Sequence, residues 1–506
     1  MAAAFPLPAL PRPPELARRA RLGERAAADV DAILAIASSE APAEVFAELP
    51  QSERWRELRK RAGAAAGVAS GALGNARSTR TVLGALGARA STFEALALAG
   101  RMLKELGPRA PASLALAAPG GAGAHPHAHD ALLSGALAHA FELATFRKPS
   151  GARAGIRRIE LVGAAPRELA YLETAARGTN LARFLTALPP NVLDARAYRR
   201  FITRLARERG LGFRWLDERS LKRLGANAFL AVSAGNAERT AGIAHLAYRP
   251  ARRRRAAPDL ALIGKGILFD TGGTNLKPHR AMLEMHTDMA GSAVALATLD
   301  ALARLEAPLA VDAWLAITEN RIGPRSYIPQ EVVRAANGVT IQVIHTDAEG
   351  RMVLADTLAL AARSRPRLMI DFATLTGACL HALTERMSGV FTNEPQLSDS
   401  LLAAGRASGE RVWGFPFDAD YDSDLESKVA DTLQCAVDGK GDHILAARFL
   451  SRFVPASSPW VHLDLSSAVR AGGLGHIGTD VTGFGVRYAL ELIVHQRVLE
   501  QLGARR

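Results

Sequence analysis

Three short segments between Lys265 and Arg351 set charged side chains among small and apolar ones. The first is Ile263-Gly-Lys-Gly-Ile-Leu-Phe-Asp-Thr-Gly-Gly-Thr-Asn-Leu-Lys277. It leaves an apolar run through Gly272–Gly273, a turn that lets backbone approach closely. It is neither a Walker A loop nor a GxGxxG turn, because no Ser or Thr follows Lys265 and Phe269 fills the last glycine's place. Two lysines and an aspartate at a strand end make poor core material, although an ordinary loop with surface lysines reads the same way. The second segment, Met285-His-Thr-Asp288-Met-Ala-Gly-Ser292, runs into an apolar helix. Asp288 is either a ligand or that helix's N-terminal cap. The third, His345-Thr-Asp347-Ala-Glu349-Gly-Arg351, follows a strand. If it stays extended, Asp347, Glu349 and Arg351 share one face. Such charges are costly to bury unless paired. A salt-bridged cluster is one outcome; the small Thr346, Ala348 and Gly350 suit a crowded site instead.

Charge connects the segments. Asp270, Asp288, Asp347 and Glu349 carry four negative charges, which balance two divalent cations. Carboxylate oxygens suit Mn, Mg or Zn, and bridging carboxylates hold paired ions roughly 3.5–4 Å apart. A neutral Lys265 amine would complete the set if adjacent dications drive its pKa down from about 10.4. Lys277 and Arg351 would remain as free cations, to stabilise a developing oxyanion or to hold an anion. No GxSxG or HExxH competes.

Behind these segments, strand and helix alternate regularly from about residue 190. Strands are expected at Leu260–Gly264, Leu309–Ile317, Thr340–Ile344, Leu368–Leu375 and Trp460–Leu465, with helices at Ala290–Leu305, Val353–Arg363 and Phe484–Leu502. This pattern predicts a three-layer α/β fold around a mixed, largely parallel sheet, with ligands beyond the strands' carboxyl ends. Residues 166–187 predict one helix, stopped by Pro189–Pro190. Ahead of it, apolar runs at Ser113–Ala118 and Arg158–Val162 and a helix at Asp130–Phe146 suggest a smaller α/β domain. Residues 1–70 read as Ala/Arg-rich helices. The expected organisation is an N-terminal domain (1–165), a connecting helix (166–189) and a catalytic domain (190–506). His125, His127 and His129 lie in the Pro/Gly/His tract Pro119–His129, either as metal ligands or as a surface loop.

The chain has 506 residues, 48% hydrophobic and 22% charged. No apolar run approaches the roughly 18 residues of a membrane span. Prolines interrupt the N-terminal apolar stretch, which argues against a secretory signal, although the Arg-rich tract after it could mimic a transit peptide. Cys379 and Cys435 form no motif, and a reducing cytoplasm is expected. The net charge of +13 is scattered arginine, densest at Arg252–Arg255, which reads as a solvated loop or a phosphate-binding patch.

GKGILFDTGG with Lys277, EMHTDMAGSA and TDAEGRMVLAD, at these spacings, resemble the signature of the leucyl (cytosol) aminopeptidase family. Leu188-Pro-Pro-Asn-Val192, Thr318-Glu-Asn320, Asp371-Phe-Ala-Thr-Leu-Thr-Gly-Ala378 and Thr482-Gly-Phe-Gly-Val-Arg487 extend the resemblance over about 185–506. It implies a metal-dependent hydrolase that releases unblocked, leucine-like N-terminal residues from peptides, working as a cytoplasmic homohexamer with two Mn or Zn ions per subunit. Asp270 and Glu349 would bridge the metals, Lys265 and Asp288 would complete one site, and Asp347 the other. Lys277 would polarise the substrate carbonyl, and Arg351 would hold a bicarbonate as general base. Met285, Thr374, Leu375 and Gly377 match the first side-chain pocket.

The chain departs from the family pattern at His345, where asparagine is usual, at Thr271 for serine, in Ile328-Pro-Gln-Glu331, and in Ser466-Ser-Ala-Val469. The alternative function is a DNA-binding or regulatory protein on the same scaffold, since some relatives bind DNA and this chain is basic.

Overall fold

Leu260–Asp270 is apolar almost throughout, as a strand buried on both faces must be, and in the computed structural model it lies inside an eight-stranded sheet. The structure describes residues 5–63, 66–107, 111–121, 124–148, 155–163, 169–253 and 257–503. The strand order is Val412–Gly414, Ser388–Thr392, Trp460–Asp464, Leu368–Ala373, Leu260–Asp270, Val311–Asn320, Gly242–Tyr248, Gly212–Asp217. From Trp460–Asp464 to Val311–Asn320 the neighbours run parallel, while Ser388–Thr392, Gly242–Tyr248 and Gly212–Asp217 add antiparallel pairings.

Alternation along the central strand makes the three layers. Leu260 and Leu262 pack with helix Ala290–Arg304, and Ala261 and Ile263 with helix Glu349–Ala362. Both helices are rich in alanine and nearly wholly buried. Alanine favours the helix and keeps it thin, so each lies close against the sheet.

A second sheet of six strands has the order Glu15–Arg19, Arg158–Val162, Ser113–Ala117, Ala32–Ser38, Arg80–Leu86, Val68–Ala72, parallel except at the last pair. Helix Leu169–Thr186 runs between the sheets. Its Asn180 and Arg183 donate to the carbonyls of Leu137 and Ala138, and its Leu181 and Phe184 join the core of both. Residues 166–168 of the expected connecting helix lie outside the described residues. No described helix is long and apolar enough to cross a membrane.

Several local expectations need correction. Residues 1–70 contain three strands besides helices, because strand pairing and burial override alanine's helical preference in Ala32–Ser38. The closing helix breaks into Val486–Leu490, a wider turn at Glu491–His495, where Gln496 N–H donates to Glu491 O, and Val498–Gln501. The helix expected at Asp130–Phe146 is Ala128–His139. Arg253 pairs with Asp259, while Arg254 and Arg255 lie outside the described residues.

Candidate metal centre

Asp270 ends the central strand, and Asn320 ends the next strand in register with it. Asp270 Oδ1 therefore accepts from Asn320 Nδ2 and from Gly272 N–H, both at 2.8 Å. The Gly272–Gly273 turn has positive φ at both residues (84° and 64°), open to glycine at little cost. A Cβ on Gly273 would come within 2.8 Å of Thr346 Oγ1, so the turn also brings the third segment against the first. Lys277 then returns to the site, with Nζ 2.9 Å from Asp270 and 2.5 Å from Asp347.

Lys265 points into the same space from five residues earlier on the strand. Its Nζ lies 2.8 Å from Asp288 Oδ1, 2.9 Å from Glu349 Oε1 and 2.8 Å from the Thr374 carbonyl. Gly350 makes room for it, since a Cβ there would meet Lys265 Nζ at 2.7 Å. Asp288 caps no helix through its side chain. It closes the turn Met285–Thr287, and its Oδ1 also accepts from Thr374 Oγ1 at 2.7 Å. The extended reading of Asp347–Arg351 is corrected as well: the chain bends at Ala348, and Glu349 and Arg351 stand in the first turn of helix Glu349–Ala362. The strand before it is only Thr340–Gln342.

Ligating atoms of Asp270, Asp347 and Glu349 lie within 4.8 Å of one another, the only such His/Cys/Asp/Glu group among the described residues. His125, His127 and His129 do not converge: His125 accepts from the His127 backbone, and His129 faces the Val162 carbonyl. Burial, then the charge of Asp270, holds the Glu349 and Asp347 carboxyls above their ordinary range. Burial also lifts Asp288, partly offset by Lys265. For Lys265 burial favours the neutral amine, but Asp288, Glu349 and Asp270 outweigh it and keep the ammonium. Lys277 is held charged in the same way. The protein alone thus favours a charged Lys265, and only cations in its place among the carboxylates would reverse that field.

Metal ions fit this chemistry. Three buried carboxylates, Asp270, Asp288 and Glu349, and the half-buried Asp347 face two lysines, and Asp288 Oδ2 is buried without a hydrogen-bond partner among the described residues. A carboxylate oxygen so placed is free to take a cation.

Bicarbonate does not fit. Arg351 is not a free cation: its Nη2 donates to both oxygens of Asp442, at 2.8 and 2.7 Å, and its Nη1 to the Gln434 carbonyl at 3.2 Å. Asp442 opens helix Asp442–Ser451 after a Gly-rich tract, which by sequence reads as a surface turn. Thr374, expected only in the side-chain pocket, also shapes the centre through its carbonyl and hydroxyl.

All seven charged residues line one cleft of about 940 Å³, together with Met285, Thr374, Leu375 and Gly377. His345 stands exposed at its lip, its Nδ1 accepting from Asp347 N–H at 3.3 Å. Thr271 donates to the Asn320 carbonyl at 2.7 Å, so the hydroxyl is used locally.

The family description "cytosol aminopeptidase family, catalytic domain" matches residues 180–490. A probable cytosol aminopeptidase of Chlorobaculum tepidum is 36% identical over 345 residues, 67% of this chain and 68% of the relative. Another, of Syntrophotalea carbinolica, is 41% identical over 320 residues, 62% of this chain and 63% of the relative. The matched region thus spans about two thirds of these relatives. Among solved structures, "Bottromycin maturation enzyme BotP in complex with Mn" is similar with a TM-score of 0.78 and 30% identity, covering 93% of this chain and 99% of that one.

Proposed function

This chain belongs to the cytosol aminopeptidase family, an aminopeptidase-type group of hydrolases, and on that premise we propose that it uses two divalent ions to release leucine-like residues from free peptide N-termini. The observation that carries this reading is the convergence of buried Asp270, Asp288 and Glu349 with half-buried Asp347 on one open cleft.

Asp270 and Glu349 would bridge the ions, Lys265 and Asp288 complete one site, and Asp347 the other; Mn or Zn suits such donors. The similar solved structure described with Mn favours that ion. When bound, the ions lower the pKa of water from 15.7 toward about 7 and polarise the scissile carbonyl. Lys277, which lines the cleft beside Asp270 and Asp347, donates to the carbonyl oxygen as negative charge gathers there. The carboxylate-rich floor prefers a free amine to a blocked one. Met285, Thr374, Leu375 and Gly377, joined by Ala378 and Leu380, offer the substrate's first side chain a mostly apolar wall.

We assign residues 1–165 to an N-terminal domain, 166–189 to the connecting helix and 190–506 to the catalytic domain. The six-stranded sheet within 15–162 and the eight-stranded sheet within 212–464 support that division. A cytoplasmic homohexamer completes the reading: the relatives' names favour the compartment, and exposed Leu283, Ile322 and Ile328 suit subunit contacts. The DNA-binding alternative gains no support from these relatives.

The test is hydrolysis of Leu-Gly and leucine amide, beside N-acetylated Leu-Gly, by protein loaded with Mn or Zn. Cleavage of the unblocked compounds alone, lost on chelation and restored by metal, is expected. Turnover that survives complete metal removal would sink the mechanism.

A further inference from the structure

We propose that Asp442 is the anion that Arg351 holds in this chain, and that it serves as the built-in general base where bicarbonate would otherwise be recruited. The inference rests on the aminopeptidase reading and deepens it.

Three observations carry it. First, the seat is taken. Arg351 is 2% exposed, and one of its nitrogens already donates to both Asp442 oxygens at 2.8 and 2.7 Å. A planar oxyanion recognises arginine through its guanidinium N–H groups, and with Nη2 on Asp442 and Nη1 on Gln434, bicarbonate would have to expel Asp442 or lie against its charge. Second, the seat is built. Gly441 (φ 59°) turns the chain so that Asp442 opens a ten-residue helix, where a negative charge is favoured. Arg351 is fixed from the other side by the Gln434 carbonyl, and Gln434 Nε2 in turn donates to the Ala348 carbonyl at 3.0 Å, just ahead of Glu349. Third, Asp442 is 25% exposed and lines the same cleft as Asp270, Lys277 and Asp347. It is therefore more open to a water in the cleft than Arg351, which is 2% exposed.

The step balances within the chain and its substrate. The oxygen of the attacking water bonds to the carbonyl carbon as one of its protons passes to Asp442. The C–N bond then breaks, its electron pair stays on the leaving nitrogen, and that nitrogen takes the proton from Asp442. Arg351 holds the carboxylate in place throughout. Nothing outside the chain is consumed.

The test compares metal-loaded wild type, Asp442→Ala and Asp442→Asn in carbonate-free buffer and with added bicarbonate. Calorimetric titration of bicarbonate into each protein, and into Asp442→Ala/Arg351→Met, supplies a second readout. Wild type should turn over at the same rate in both buffers and show no bicarbonate heat. Asp442→Ala should lose about 10²-fold in carbonate-free buffer, as expected for loss of a general base. It should regain much of that rate with bicarbonate, and bind it in a way that Arg351→Met abolishes. Asp442→Asn, which fills the space without the charge, should stay slow in both buffers and carries the comparison if the alanine variant melts early. Wild type accelerated several-fold by bicarbonate, Asp442→Ala as fast as wild type without it, or a folded Asp442→Ala neither bound nor rescued by it would each overturn the proposal. Failure of wild type to cleave any free-N-terminus peptide would instead sink the aminopeptidase reading, and the calorimetry would still decide what Arg351 holds.

Discussion

Two buried arginines each grip both oxygens of an aspartate, and only one faces a cleft. Arg487 donates to Asp130 at 3.0 and 2.9 Å, to Ser134 Oγ at 2.9 Å and to the Ser408 carbonyl at 2.7 Å, so every nitrogen is engaged. It joins helix Ala128–His139, beside the six-stranded sheet, to helix Val486–Leu490. Arg351 has the same kind of partner, but its Nε is buried without a hydrogen bond among the described residues, and its neighbours are the crowded carboxylates. A buried charge with every bond made is architecture. One beside crowded carboxylates, with an oxygen such as Asp288 Oδ2 left unbonded, marks a candidate binding place.

The largest effect should come from breaking the unsatisfied side of this contrast. Glu349→Gln removes one carboxylate of the proposed metal site and should lower turnover on the order of 10³-fold, the equivalent of several kcal/mol of transition-state stabilisation. Metal-free, it should melt no lower than wild type, because one of four mutually repelling acids is gone. A variant that unfolds but keeps its activity per folded molecule would reverse the assignment.

The satisfied side should behave in the opposite way. Arg487→Met leaves Asp130 half-buried without its partner and cuts the bonds to Ser134 and Ser408. A loss of about 3 kcal/mol in urea unfolding is expected, with turnover per folded molecule within about twofold of wild type. Equal stability with lost turnover would place Arg487 in the chemistry.

A smaller, graded effect should appear with pH. Asp288, Asp347 and Glu349 have folded pKa values raised above their unfolded ones. Their stabilising contribution is therefore present in acid and lost as pH rises through the raised values. Lys265 and Lys277, also raised, keep their contribution until alkaline pH. Metal-free protein should lose stability steadily between about pH 5 and pH 8. With Mn the slope should reverse, because binding releases protons. Parallel melting curves with and without metal across that range would contradict the picture.

The contrast also explains what could be read without coordinates. The carboxylates and lysines were legible because their motifs are local: Asp347, Glu349 and Arg351 sit two apart, and Asp270 closes an uninterrupted apolar run. The helix beginning at Glu349 was not legible, since Ala-Glu-Gly-Arg continues either a strand or a turn until Lys265 and Gly350 pack together. Ala32–Ser38 misled for a related reason. Its alanines favour a helix, and a strand buried on both faces shows no alternation to betray it. The Arg351–Asp442 pair was out of reach altogether, because 91 residues separate its members and an aspartate beside glycines reads as a turn.

That separation has a consequence for the order of synthesis. A ribosome makes Arg351 well before Asp442, at roughly 5–20 residues per second, so for several seconds the arginine lacks its carboxylate. Strand Trp460–Asp464, between Leu368–Ala373 and Ser388–Thr392 in the sheet, emerges later still. The nascent chain therefore carries its acids before it carries a finished basin to hold them. Asp442, the partner of Arg351, and the strand that completes the sheet thus join the site only after its acids have been made.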